Sequence, residues 1–275
     1  MEILSIAIIF FLTVLGSYPL GIYIGKIFNS EKTIFDFLNR FELWLFSFCK
    51  INPLKEYTWK QNIAIFCILN SVWLVYALVI LLIQGEIPIL NPDRIGSMGM
   101  TQALNTAVSF VTNTNLQHYS GESELTYFSQ LFVICFLQFV SAASGLAIFA
   151  VLIKAIKSLG KKETGNFFVY FVKSITRILL PLSIFFAMLL ILNSVPMTFS
   201  GRSEIVGLQG DSIVVSKGPV AAVVAIKQLG TNGGGYFGAN SAHPFENPNM
   251  FTNIIELIGI AIIPIACIFT FGYCL

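Results

Sequence analysis

"TQALNTAVSFVTNTNLQHYSG", residues 101–121, joins a short apolar segment to a polar loop that contains no Lys, Arg, Asp or Glu. Apolar residues recur at intervals of three and four over 101–112, which predicts a helix there. Roughly 12 residues at about 1.5 Å each reach only about half-way through the hydrocarbon of a bilayer. The stretch therefore predicts a re-entrant half-helix and a polar loop at membrane depth, surrounded by protein or a water-filled cavity.

The rest of the chain has the composition of a membrane protein. Of its 275 residues 56% are hydrophobic and 11% charged, against roughly 25% charged residues in soluble domains. The first uncharged window lacks a basic leader and a cleavage site, so it predicts a transmembrane helix and not a signal peptide. We expect an all-α polytopic fold whose spans fall in the uncharged windows 3–25, 61–85, 125–153, 178–201 and 257–275.

The 16 Lys and Arg residues predict the orientation, because basic residues near span ends stay on the cytoplasmic side. Two intervals hold six each: Lys26, Lys32, Arg40, Lys50, Lys55 and Lys60, then Lys154, Lys157, Lys161, Lys162, Lys173 and Arg177. These intervals are predicted to be cytoplasmic, and Lys154, Lys157, Lys161 and Lys162 are expected to face anionic lipid headgroups. The N-terminus and the 112–121 loop then face outside in a cell (plasma or inner) membrane. The net charge of +2 follows from this asymmetry and indicates no nucleic-acid partner.

The same arrangement occurs a second time further along the chain. "PVAAVVAIKQL", residues 219–229, is another short apolar helix, followed by the polar "GTNGGGYFGAN" of residues 230–240. Thr114-Asn115 and Thr231-Asn232 lie 117 residues apart. Internal repeats of this kind are frequent in transporters. We therefore expect a leading helix and cytoplasmic loop in residues 1–60, a first pore repeat in 61–160 and a second in 161–275.

An uncharged loop of Thr, Asn and Gly suits a monovalent cation. Backbone carbonyls, sometimes with hydroxyls, replace the water shell of K⁺ in selectivity filters, whereas full negative charges would favour divalent ions. Gly233, Gly234 and Gly235 are expected to adopt conformations closed to other residues. The amides of Asn113, Asn115 and Asn232 are expected to brace the loops from behind. Either loop alone would ordinarily be a solvated turn, but the repetition favours a filter.

Three stretches, "NTAVSFVTNTNLQHYSGE", "SAASG" and "GPVAAVVAIKQLGTNGGGYFGANSAHPFENP", resemble the potassium-binding A subunit of the Kdp-type K⁺-transporting ATPase. The resemblance implies a filter of four pseudo-repeats that takes K⁺ from outside. It also implies an intramembrane tunnel to a P-type ATPase catalytic subunit, with one or more accessory single-span subunits. The implied filter residues are Thr112, Asn113, Thr114 and Asn115, then Thr231, Asn232 and Gly233, with Gln117 nearby affecting ion affinity or selectivity.

The family's A subunit is about twice as long and contributes four loops, so this chain corresponds to an N-terminal half. A truncated product, half of a split gene and a partial record all remain open. The chain contains neither a G-x-x-x-x-G-K-[ST] phosphate loop nor an Asp-Lys-Thr-Gly motif, so ATP hydrolysis is expected of a partner. We expect K⁺ as the transported ion and no bound ATP or metal cofactor. The alternatives are a passive or ion-gradient-driven K⁺ channel subunit and a non-functional fragment.

Several other residues have simpler interpretations. Lys227 in the second half-helix is expected to snorkel to the outer interface or to pair with an acid. Glu122 and Glu246 fit either an outer vestibule that attracts K⁺ or solvated, capping carboxylates. His243 has no second His or Cys at ligand spacing, so no metal site is expected. Small residues in "SAASG" are expected mainly to pack helices, and these are Ser141, Ser144 and Gly145.

Overall fold

The computed structural model describes residues 2–158, 162–206, 210 and 212–275. The helices that organise it are α1 (Glu2–Phe28), α2 (Asn39–Phe48), α3 (Trp59–Ile83), α4 (Met100–Val111), α5 (Tyr127–Lys157), α6 (Phe167–Leu192), α7 (Val220–Leu229) and α8 (Met250–Cys274). Strands β1 (Ser203–Val206) and β2 (Ser212–Val215) pair as an antiparallel hairpin between α6 and α7. A π-helical segment interrupts α5 at Gln130–Cys135 and α6 at Ser174–Leu179.

Five of these helices are long and apolar enough to cross a membrane, namely α1, α3, α5, α6 and α8. The protein is therefore an all-α polytopic membrane protein, as its composition predicts, with one small hairpin that periodicity did not indicate. Two helices, α4 and α7, are short and stand at the positions predicted for the half-helices. Helix α4 begins and ends one residue before the predicted 101–112, and α7 begins one residue after the predicted start of 219–229.

The fourth span is displaced from its predicted window. The uncharged window covers 178–201, whereas α6 runs from Phe167 to Leu192 and contains Lys173 and Arg177. A charge is tolerated there because Arg177 forms ion pairs with Glu42 at 2.6 Å and Asp36 at 2.9 Å. Buried charges occur where they are paired. The predicted window therefore begins later than α6 does, because it was defined by the absence of charged residues.

The spans begin at residues whose side chains satisfy the free N–H groups of the first turn. Thr58 and Gln61 form a capping box at α3, with Thr58 N–H donating to Gln61 Oε1 at 3.0 Å. Asn249 accepts from two backbone N–H groups of α8, at 2.9 and 3.0 Å. These caps fix where the chain leaves a loop and enters a span.

The loops between spans separate into two ends of the molecule. At one end Tyr57 N–H donates to the Gly165 carbonyl at 2.8 Å, which joins the loop before α3 to the loop before α6. At the other end Arg202 N–H donates to Asp93 at 2.9 Å, joining the hairpin to the segment before α4. The two lysine-rich intervals therefore share an end, as their basic residues predict. The predicted boundary between the repeats, residues 160 and 161, lies outside the described residues.

Helix α1 packs along α8 through small residues. Ser17 donates to the Ile262 carbonyl, and Thr270 donates to the Gly21 carbonyl, each at 2.9 Å. A Cβ on Gly21 would stand 2.6 Å from the Ala266 carbonyl oxygen. Small residues let helix backbones approach closely in membranes. The leading helix is thereby held against the last span.

We expect Gly21→Ala to destabilise the protein by about 1–3 kcal/mol, because its methyl group would overlap the α8 backbone. Gly272→Ala is the matched control, since a Cβ at Gly272 meets no heavy atom within 4 Å. The midpoint of thermal denaturation in detergent would fall for Gly21→Ala and stay constant or rise for Gly272→Ala. Equal midpoints would contradict the close approach of α1 and α8.

Candidate functional site

Both short helices end in the same backbone turn. Two residues after the end of α4, Asn113 has φ 58°, and two residues after the end of α7, Thr231 has φ 55°. A non-glycine residue in this left-handed region is uncommon and requires support from its surroundings. The turn therefore redirects each chain sharply where the predicted filter begins.

The hydrogen bonds of the two turns match at a separation of 118 residues. Thr114 N–H donates to the Ser109 carbonyl at 2.9 Å, and Asn232 N–H donates to the Lys227 carbonyl at 2.8 Å. Thr114 therefore corresponds to Asn232 in the backbone. The predicted correspondence of Thr114-Asn115 with Thr231-Asn232 is off by one residue, because a shared dipeptide need not occupy the same place in a turn.

The eight predicted site residues lie together, in loop 1 (residues 112–117) and loop 2 (residues 230–235). Their side chains differ in solvent exposure. Asn115 and Asn232 are each 3% exposed, and Asn113 and Gln117 are half-buried. The exposed members are Thr112, Thr114, Thr231 and Gly233. The structure thus divides the set into an open face of hydroxyl and backbone groups and a packed layer of amides.

The packed layer ties the two loops together. Asn115 Nδ2 donates to Asn232 Oδ1 in a short, fully buried contact. Asn113 Nδ2 donates to the Gly230 carbonyl at 3.3 Å, while Ser141 of α5 donates to Asn113 Oδ1 at 3.0 Å. These asparagine amides brace the loops from behind, as the sequence predicts, and they do so across the repeats.

Two glutamines hold the backbone of loop 2. Gly235 N–H donates to Gln117 Oε1 at 2.9 Å, and Gln117 Nε2 donates to the Gly235 carbonyl at 3.3 Å. Gln138, fully buried on α5, donates to the Gly234 carbonyl at 2.8 Å. Sequence reasoning missed Gln138, although a polar side chain in the middle of an apolar span is a recognised functional signal.

Gly234 and Gly235 of loop 2 are required for space and not for an unusual conformation. None of the three glycines of loop 2 has φ in the left-handed region, so the predicted reason for Gly233, Gly234 and Gly235 is wrong. A Cβ on Gly234 would overlap the Phe110 ring, and one on Gly235 would lie 2.6 Å from Asn240 Oδ1. At Gly233 a Cβ would meet only the loop 1 carbonyl oxygens of Asn115 and Thr114, at 3.4 and 3.7 Å.

A cavity of about 320 Å³ lies where the two short helices end. Val111 and Thr112 line it at the end of α4, and Leu229 and Gly230 line it at the end of α7. Carbonyl ends of helices carry partial negative charge, so a cation is favoured there. The small residues of "SAASG" also line it, and Ser144 Oγ is buried without a hydrogen-bond partner, while the sequence favoured mainly a packing role.

Charged groups lie behind α7 and away from the open face. Lys227 is 2% exposed, forms a short ion pair with Glu246, and donates to Ser241 Oγ at 2.9 Å. Pairing with an acid is thus confirmed for Lys227. Glu246 is fully buried and accepts Phe237 N–H at 2.9 Å, so neither a vestibule nor a solvated role fits it.

A second buried acid continues this cluster into α8. Glu256 Oε2 accepts from Gln228 Nε2 at 2.5 Å and from Ser241 Oγ at 2.6 Å. Ser241 therefore links Lys227 to Glu256, because it accepts from Lys227 Nζ and donates to Glu256 Oε2. The last turn of α7, from which loop 2 emerges, is held by ionic and charge-assisted bonds.

The tyrosines next to the loops stay neutral. Burial raises the pKa of Tyr119 far above its ordinary value near 10. Burial likewise raises the pKa of Tyr236, with the Ser216 hydroxyl lowering it less. Neither phenol ionises near neutral pH, so these two tyrosines add no charge beside the loops.

The remaining candidates have structural roles. His243 stacks on Phe237 with ring centroids 3.6 Å apart, and its Nδ1 accepts Phe245 N–H at 3.1 Å. No cluster of three metal-ligating side chains occurs in the part of the chain that the structure describes. Glu122 accepts Gly238 N–H at 2.9 Å, so its carboxylate joins the segment before α5 to the segment after loop 2.

The fold defines a multi-pass α-helical membrane protein, and its paired uncharged loops are of the kind that coordinates monovalent cations. The chain belongs to the family described as the potassium-transporting ATPase A subunit, whose model matches residues 7–275.

Similar proteins carry the name potassium-transporting ATPase potassium-binding subunit. The protein of Flavobacterium johnsoniae is 50% identical over 273 residues, and that of Bacteroides fragilis is 49% identical over 272 residues. The protein of Geobacillus kaustophilus is 43% identical over 266 residues. These alignments cover 97–99% of this chain and 47–48% of the relatives, so the chain spans about half the length of the curated relatives it matches.

We expect Gly234→Ala to lower stability by about 1–3 kcal/mol, because its methyl group would collide with the Phe110 ring. Gly233→Ala is the matched control, since its methyl group would make only ordinary contacts with loop 1. Thermal denaturation in detergent measures the difference. A midpoint for Gly234→Ala as high as that of Gly233→Ala would contradict the packing of loop 2 against α4.

We expect Lys227→Met to cost about 3–5 kcal/mol, because Glu246 would remain buried without its counter-charge. The double variant Lys227→Met/Glu246→Gln should recover most of this loss, since it removes both charges and keeps an acceptor for Phe237 N–H. Lys154→Met is a control, because the Lys154–Glu56 pair is exposed and contributes about 1 kcal/mol or less. Denaturation midpoints of the four proteins test the order, and failure of the double variant to recover would contradict the ion pair.

Proposed function

We propose that this chain is the K⁺-binding and translocating part of a high-affinity, ATP-driven potassium uptake system. The observation that carries the proposal is that the two loops have an open face of hydroxyl and backbone groups and a packed layer of amides. Uncharged oxygens occupy the open face, while Lys227 and Glu246, at and after α7, are buried and paired with each other. Family membership and the names of the relatives support the same assignment.

The open face would bind dehydrated K⁺ through oxygen atoms. Thr112 and Thr114 hydroxyls lie 2.9 Å apart on loop 1, and Thr231 is an exposed hydroxyl residue of loop 2. Backbone carbonyls of both loops complete the oxygen set, while Asn115, Asn232 and Gln117 hold the loops in position. Further loops of the same kind are needed to surround an ion.

The cavity beyond the loops would receive the ion next. Its lining includes the carbonyl ends of α4 and α7 and the unpartnered hydroxyl of Ser144. A dehydrated cation is stabilised there by helix ends and hydroxyl oxygens without a counter-charge. From this cavity we infer a path through the membrane interior into a P-type ATPase subunit that hydrolyses ATP.

The assembly we propose lies in the cell membrane with the N-terminus and both loops outside. Its partners are the P-type ATPase catalytic subunit and one or more accessory single-span subunits. The separation of lysine-rich loops from the site supports this orientation, because basic loops are retained on the cytoplasmic side. Residues 61–160 and 161–275 then act as two pore repeats after the leading helix.

Two substitutions test the site in the assembled complex. Gly233→Asp would place a carboxylate against the carbonyl oxygens of loop 1, and Gln117→Arg would remove the acceptor for Gly235 N–H. We expect each to raise the K⁺ concentration for half-maximal ATP hydrolysis by roughly tenfold or more, which equals about 1.4 kcal/mol of lost binding. Gly96→Asp is the control, because it adds the same charge in open space on the outer segment.

Unchanged K⁺ dependence in both variants would overturn the site assignment. K⁺ flux through liposomes that contain this chain without ATP or partners would favour a passive channel over the ATP-driven system. Stimulation of ATP hydrolysis by K⁺ in the unmodified complex is therefore measured first, and its absence would overturn the proposed function itself.

A further inference from the structure

The cytoplasmic loop before α3 presents an aromatic face that no described residue covers. Phe37, Phe41, Trp44 and Phe48 recur at intervals of four, three and four residues and lie on one side of α2 and the turn before it. They are 71%, 50%, 59% and 74% exposed, respectively. Neighbouring rings along α2 stack with centroids 5.9 and 5.8 Å apart. We refer to these four residues as the aromatic face.

The opposite side of α2 is fixed to the membrane spans. Arg177 of α6 is 3% exposed and binds both carboxylate oxygens of Glu42, at 2.8 and 2.6 Å. The same guanidinium donates to Asn39 at 2.6 Å and to Asp36 at 2.9 Å. Bidentate arginine–carboxylate pairs have a defined geometry. The aromatic face is therefore held in one direction relative to α6.

This fixation places α2 beside the spans and not beyond their ends. Tyr23 of α1 donates to the Arg177 carbonyl at 2.9 Å, five residues before α1 ends at Phe28. Helix α1 has 27 residues, so at about 1.5 Å each it measures about 40 Å and exceeds a hydrocarbon core of about 30 Å by about 5 Å at each end. Tyr23 lies about 7.5 Å from the end of α1. The helix α2 thus lies near the boundary between acyl chains and headgroups.

The charges around α2 favour an anionic surface. Its acids, Asp36 and Glu42, are both bound to Arg177. Exposed Arg40 and Lys50 flank the aromatic face and form no ion pair within the described ranges. Aromatic side chains favour the interface region, and nearby basic residues favour anionic headgroups.

We propose that α2 is an interfacial anchor whose aromatic face inserts into the inner leaflet, with Arg40 and Lys50 contacting anionic phospholipid headgroups. The anchor is independent of what the loops bind. Through Arg177 it connects the lipid surface to α6, the span that precedes the hairpin and α7.

Photo-crosslinking in the membranes of expressing bacteria tests this anchor. Benzoylphenylalanine replaces Phe41, Trp44 or Phe48 in the full chain, one position at a time. Ile68, exposed on span α3, is the positive control for lipid, and Ile205 on the hairpin is the negative control. Mass spectrometry identifies each adduct and its headgroup. We expect phospholipid adducts at the three anchor positions and at Ile68, and none at Ile205.

A second comparison tests whether Arg40 and Lys50 contact anionic headgroups. Arg40→Gln and Lys50→Gln should each lower the ratio of phosphatidylglycerol to phosphatidylethanolamine adducts at Trp44 by about fivefold, the factor expected for one basic residue at an anionic surface. Arg94→Gln, at the outer end, should leave the ratio unchanged. Polypeptide adducts at the anchor positions, or no adducts there while Ile68 reacts, would overturn the anchor. An unchanged ratio in both charge variants would overturn the anionic assignment.

Discussion

The contact between the Asn115 and Asn232 amides is the interaction on which the arrangement of the two loops depends. It is fully buried, and it joins residues that are 117 positions apart. A buried amide without a partner would cost about 1–3 kcal/mol, so the two loops are stable only when they face each other. Asn113 and Gln117 add hydrogen bonds between the same loops, and Gln138 of α5 donates to the Gly234 carbonyl of loop 2.

The separation of charged from uncharged groups follows from this arrangement. Amides fill the space between the loops, which leaves hydroxyls and backbone oxygens on the open side. Lys227 and Glu246 form a buried ion pair, and buried Glu256 accepts hydrogen bonds from Gln228 and Ser241. A monovalent cation at the open face would meet oxygen dipoles without a full negative charge, which permits both binding and release.

Hydrophobic patterning was sufficient to predict the number and type of the spans, because lipid requires long apolar helices. It misplaced α6, since Arg177 is neutralised by Glu42, a residue 135 positions away that no local window includes. Two matching short helices and their loops predicted a site here, whereas the family resemblance implied its eight residues, whose role as a filter stays a prediction. The contribution of Gln138 and the one-residue shift between the turns were not predictable, because both depend on how the repeats pack against each other.

The bonds between loops also constrain how the protein is made. Asn113 and Asn115 emerge from the ribosome well before their partners Gly230 and Asn232, which are 117 residues later in the chain. At about 5–20 residues per second, roughly 6–23 seconds of synthesis separate them. During that interval the amides of loop 1 must bond to water or to a chaperone, so α4 reaches its final position only after α7 has been inserted. The hydrogen bonds of loop 1 are therefore completed by a segment that is translated 117 residues later.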